Sequence, residues 1–156
     1  MIAGRRSKTV AFIAILALLT FGALAAASAD PRDLAQSADI AAAQALHSRG
    51  LAAWREGKYS EAEGLYKRAL AIREKALGAN PRDVAQTLNN LALVYADQSK
   101  HGEAEELYKR ALAIREKVLG ANHLDVGQSL NNLALVYRDQ GDYSEARLRS
   151  SSNARW

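Results

Sequence analysis

Apolar residues in this chain return every three or four positions, and no segment alternates with the two-residue period of a half-buried strand. Val84, Leu88, Leu91 and Tyr95 are spaced by four, three and four. At about 100° per residue they fall within about 40° of one another on a helix. Ala62, Leu65, Tyr66, Ala69, Leu70, Ile72, Ala76 and Leu77 form a second stripe of helical period. Gly78-Ala79-Asn80-Pro81 separates the two, with Gly after one helix and Pro opening the next. A short turn is predicted around Gln98–Gly102. The pattern therefore predicts helices arranged in pairs.

The pairs repeat. Residues 62–103 match residues 104–145 at 31 of 42 positions. YKRALAIREK occurs at Tyr66–Lys75 and Tyr108–Lys117, and LNNLALVY at Leu88–Tyr95 and Leu130–Tyr137. A more diverged unit precedes them, since Leu51–Ala62 aligns with Leu93–Ala104. The stretch from Asp30 to Ser37 echoes Asn80–Thr87 at a spacing of 50 rather than 42. A period in this range marks stacked supersecondary units that bury their apolar faces on one another.

The third unit's Leu130–Tyr137, its turn Gln140-Gly141-Asp142-Tyr143-Ser144-Glu145-Ala146 and the helix from Glu103 to Leu112 carry a family signature. Over residues 43–147 the chain resembles tetratricopeptide repeat proteins, specifically the 42-residue type found in kinesin light chains. The resemblance implies an all-α fold, a right-handed superhelical array of antiparallel helix pairs with about two and a half repeats. Units are expected at about 43–84, 85–126 and 127–147, behind a lead-in helix or linker over 30–42. It also implies that a concave, Asn-rich face binds peptide segments of partner proteins.

Residues opposite the first-helix stripe give that face its candidates. They are Gln86, Asn89, Asn90 and Leu93 in one unit, and Gln128, Asn131, Asn132, Leu135 and Arg138 in the next. The first unit offers Gln44, His47, Ser48, Leu51, Trp54 and Arg55. Amide side chains carry donors and acceptors suited to a peptide backbone. Leu93 and its counterparts sit where the core stripe does not need an apolar residue. A competing reading has Asn89 and Asn131 bridging neighbouring helices, and it applies more strongly to Asn90 and Asn132, nearer the stripe edge.

Charge first suggests a basic protein, with 21 Lys and Arg, 17 Asp and Glu, and a net charge of +4. The N-terminus changes that picture. Arg5, Arg6 and Lys8 precede an apolar run over Val10–Ala27, and Ala27-Ser28-Ala29 supplies small residues before Asp30. This order predicts a signal peptide over 1–29, with an uncleaved membrane anchor as the alternative, and an exported protein. Removing three cations and no anions leaves 18 against 17, a net charge of +1. A nucleic-acid partner is not implied. Cysteine is absent, which excludes disulfides and thiol chemistry.

The cations of YKRALAIREK fall on an outer helix face, with Glu63 four residues before Lys67. Arg73 and Arg115 instead fall within the apolar stripe, where a long stem can cover apolar surface. A carboxylate is one option for their partner, and the spacing names none. His47, His101 and His123 have no metal-ligand spacing on a common face. No nucleophile and base stand together, so no enzyme activity, metal or cofactor is expected.

After Ala146 the period predicts a third copy of the second helix, but the chain runs Arg147-Leu148-Arg149-Ser150-Ser151-Ser152-Asn153-Ala154-Arg155-Trp156. The stripe of Val126, Leu130, Leu133 and Tyr137 is then expected to lack full cover. Three readings follow: a fragment of a longer array, self-association through the uncapped end, or a tail divergent over 148–156 with Trp156 as a plug. At the level of function, the alternative to peptide binding is a scaffold or self-assembly element, or a remnant of a longer repeat protein.

Overall fold

The computed structural model describes residues 30–76 and 80–141. Five helices follow one another: α1 (Pro31–Arg55), α2 (Tyr59–Lys75), α3 (Pro81–Asp97), α4 (His101–Leu119) and α5 (Leu124–Asp139). No strand occurs among the described residues. Residues 1–37 and 38–156 form separate compact units. Of the first, residues 30–37 are described; they open α1, and the Asp30 carboxylate accepts a hydrogen bond from the Arg32 amide at 2.8 Å. The segment expected as a lead-in thus runs straight into the first repeat helix. The segments expected as a signal peptide and as a divergent tail lie outside the described residues.

The helices end where the sequence supplies punctuation. Asn80 Oδ1 accepts from the Arg82 amide at 3.0 Å, and Pro81 opens α3 where its missing N–H leaves no bond unmade. His123 serves the same purpose for α5, its Nδ1 accepting from the Asp125 amide at 3.1 Å. The tight turns within the pairs need a residue of positive φ. Gly57 (φ 73°) fills that position in the first unit and Gly141 (φ 83°) in the third, but Ser99 (φ 60°) stands there in the second.

Two clusters make the core. One joins Leu46 and Ala53 of α1 with Leu65, Tyr66, Ala69 and Leu70 of α2 and Leu88, Leu91 and Val94 of α3. The other joins Ala92 of α3 with Ala104, Tyr108 and Leu112 of α4 and with α5. α3 thus packs on the pair before it, α1 and α2, and α5 on α3 and α4, which is how stacked units make one continuous core. Tyr66, only 1 % exposed, shows how closely they meet. A Cβ on Gly50 of α1 would come within 3.0 Å of its ring.

The stripe of the third unit is buried in this structure. Val126, Leu130, Leu133 and Tyr137 of α5 are 1, 8, 0 and 6 % exposed. They pack with Ala92 of α3 and Ala104, Tyr108 and Leu112 of α4. The helix expected to follow α5 lies outside the described residues.

Candidate functional site

The joints between units are polar at their centre. The Arg73 side chain, 4 % exposed, leaves the end of α2 and enters the seam between α1 and α3. Its Nη1 donates to the Asp83 carbonyl oxygen at 2.8 Å and to the Thr87 hydroxyl, and its Nη2 donates to Gln44 Oε1 at 2.6 Å. Arg115 repeats the arrangement one unit later. Its Nη1 donates to the Asp125 carbonyl and to Ser129 Oγ, both at 2.8 Å, with Gln128 Oε1 at 3.5 Å. In both units the carbonyl lies ten residues after the arginine and the hydroxyl fourteen. This answers the question left by the apolar stripe: the arginines are satisfied by a carbonyl and a hydroxyl of the next first helix, and no carboxylate pairs with either at close range. Burial lowers both guanidinium pKa values, opposed by the charges of Asp83 and Asp125.

A second seam runs along the first helices. Asn132 Nδ2 donates to Asn89 Oδ1 at 3.1 Å, and Asn90 Nδ2 lies 3.3 Å from His47 Nε2. Both steps span 43 residues, so His47 does in the first unit what Asn89 does in the second. His47 and Asn89 are buried at 5 and 6 % exposure. His47 is thus a joint residue rather than part of an open wall.

The remaining candidates sort by what they touch. Gln86, Gln128 and Asn131 are exposed. Leu51 and Leu93 are half-buried, and Leu135 is 41 % exposed. These three leucines are 42 residues apart and occupy one register of α1, α3 and α5. Asn90 and Asn132 are half-buried and occupied in the seam. Half-buried Trp54 donates from Nε1 to Asp97 Oδ2 at 2.6 Å, linking α1 to α3. Arg138 is exposed and pairs with its neighbour Asp139 at 2.9 Å. The surface around these helices is therefore a leucine row flanked by amides, with its polar base already committed to holding the units together.

On the outer side, Glu63 gathers Lys67 at 2.7 Å, Lys100 at 3.2 Å and the Tyr95 hydroxyl at 3.3 Å. Glu105 gathers Lys109 at 2.6 Å, the Tyr137 hydroxyl at 3.0 Å and Gln140 at 3.3 Å. The Lys67 hydrogen bond, opposed by partial burial and reinforced by Lys100, holds the Glu63 carboxyl down at about 2. Arg110 pairs with Glu74 across consecutive second helices. The sequence showed the helical Glu–Lys pairs. It missed the cross-unit members, although Tyr95 and Tyr137 each lie 32 residues after their glutamates, and a search at that offset finds both.

Among the described residues no group of three or more His, Cys, Asp or Glu is placed to hold a metal. No described helix is long and apolar enough to cross a membrane. The tetratricopeptide repeat family profile matches residues 39–117 and 83–149. No curated protein matches the sequence. Among solved structures, the TPR domain of Arabidopsis FLU is similar with a TM-score of 0.66 at 17 % identity, covering 76 % of this chain and 94 % of that one. The N-terminal domain of stress-induced protein-1 from C. elegans gives 0.62 at 20 % identity, over 74 and 84 %. A Podosopora anserina putative kinesin light chain with nearly identical TPR-like repeats gives 0.63 at 26 % identity, over 72 % of this chain and 53 % of that one.

Proposed function

This chain belongs to the tetratricopeptide repeat family, whose folds serve generally as protein-interaction modules, and from that premise we propose that it is a non-catalytic module binding a peptide segment of a partner along its first helices. The observation that carries the reading is the row Leu51, Leu93 and Leu135. Leu135 is 41 % exposed, and none of the three belongs to either buried core cluster. Three leucines in one register, beside exposed Gln86, Gln128 and Asn131, form a wall that the fold itself does not use. On the concave side of the superhelix such a wall gives apolar area and backbone-matching amides together. The order of basic, apolar and small residues over 1–29 supports export of this module.

A random peptide library selected on the folded protein supplies ligands whose affinity is then read by fluorescence polarisation. Leu135→Asp and Asn131→Asp should each weaken the selected peptides by tenfold or more, with helical circular dichroism unchanged. Unaltered affinity in both variants sinks the proposal. Asn89 is unsuitable for this test, because its side chain holds Asn132.

A further inference from the structure

We propose that the joint between α1 and α3 is an acid-sensitive switch, in which proton uptake by His47 frees α1 while the joint between α3 and α5 stays closed.

The argument begins with what surrounds the imidazole. His47 lies on α1, and it is 5 % exposed. From α2, Arg73 Nη1 lies 3.3 Å from Nδ1, and the Tyr66 ring meets the imidazole edge-on with centroids 5.3 Å apart. From α3, Thr87 Oγ1 is 3.3 Å from Nδ1 and Asn90 Nδ2 is 3.3 Å from Nε2. The Asp83 carboxylate on α3 is the anion that acts on the ring. Neighbouring Gln44 on α1 is neutral and occupied by Arg73.

The hydrogens can be assigned from this geometry. The Thr87 hydroxyl donates to the Asp83 carbonyl at 2.8 Å, so its lone pairs face Arg73 and His47. Arg73 Nη1 has two hydrogens, and the Asp83 carbonyl and the Thr87 hydroxyl take both. Nδ1–H of His47 therefore donates to Thr87, and bare Nε2 accepts from the Asn90 amide. A neutral imidazole satisfies every partner. A second proton on Nε2 would face the Asn90 NH2 group and add a positive charge beside a buried guanidinium. Burial first and Arg73 second push the His47 pKa down to about 4, against the pull of Asp83.

The sign follows from that direction. A base with a lowered folded pKa contributes stability that is present above its ordinary value of about 6.5 and lost as pH falls toward 4. The next joint has Asn89 in the equivalent place and does not titrate. Among these two joints only the one that positions Leu51 and Trp54 holds an imidazole; the His123 cap of α5 lies outside the Asn89–Asn132 joint.

Hydrogen exchange of the full chain, corrected for the intrinsic pH dependence, tests this. The opening constant of the amides of Leu46–Ala53 should rise about 20-fold from pH 7 to pH 5, with no comparable rise over Leu130–Tyr137 of α5, beyond the turn that His123 caps. Glu63 and Glu105, whose pKa values are lowered, stay ionised through that window. His47→Asn, which installs the residue used in the second unit, should flatten the α1 response. A wild-type α1 that opens equally at both pH values overturns the proposal, as does a 20-fold rise that survives His47→Asn. If that variant does not fold, an NMR titration of His47 in the unaltered protein decides. A ring titrating near 6.5 refutes the switch, and one titrating near 4 supports it.

Discussion

Replacing Thr87 by Val tests whether the polar joints hold the array together. The side chain is fully buried, and Val fills nearly the same volume, so no cavity opens. What disappears is one hydroxyl that accepts from Arg73 and His47 and donates to the Asp83 carbonyl. Arg73 keeps the Asp83 carbonyl and Gln44, but one of its N–H groups is left bare in a buried site. A hydrogen bond to a charged group contributes about 1.5–3 kcal/mol, and an orphaned buried donor costs about 1–3 kcal/mol. The added methyl returns about 0.8 kcal/mol of apolar burial. The net expectation is a loss of about 2–5 kcal/mol, a large share of the roughly 5–15 kcal/mol available to a domain. Thr87→Ser keeps the hydroxyl, as Ser129 does in the next unit, and loses only a buried methyl, about 1 kcal/mol. Urea unfolding at pH 7.5, followed by circular dichroism at constant m-value, measures both. If Val costs no more than Ser, the joint is held by packing and the reasoning about Arg73 is wrong.

Gly50→Ala sets helix propensity against sterics: Ala gains about 1 kcal/mol in a helix interior, but forcing a Cβ to 3.0 Å from the Tyr66 ring costs about 1–3 kcal/mol, so a net loss should appear as a lowered melting temperature. Ser99→Gly relieves a positive φ of 60° and should stabilise by about 1 kcal/mol in the same assay. The carboxylate of Glu63, held at about 2, adds stability that is present above its ordinary value and lost as pH falls from about 4.5 toward 2. Glu63→Gln should therefore shrink that acid loss in a circular-dichroism titration, and the effect should weaken in 1 M salt, where exposed charges are screened.

The sequence by itself determined the helices, their pairing and their stacking. Those features rest on local periods and on near-identical copies, and a stripe such as Val84, Leu88, Leu91 and Tyr95 can only be buried one way in a helix. It also separated the leucine row from the core, since Leu93 lies opposite that stripe. Only the tertiary structure decided what the buried polar groups do. Arg73 meets Thr87 across fourteen residues and Gln44 across twenty-nine, and neither meeting is written in helical spacing. It decided that α5 is covered from behind, through contacts with Tyr108 and Leu112. It decided that Asn89 and Asn132 spend their amides on each other, leaving Asn131 exposed beside the row. The physical reason is the same in each case. Apolar burial is averaged over a whole helix face and survives in the pattern, whereas a hydrogen bond depends on two particular atoms that only the packed helices bring together.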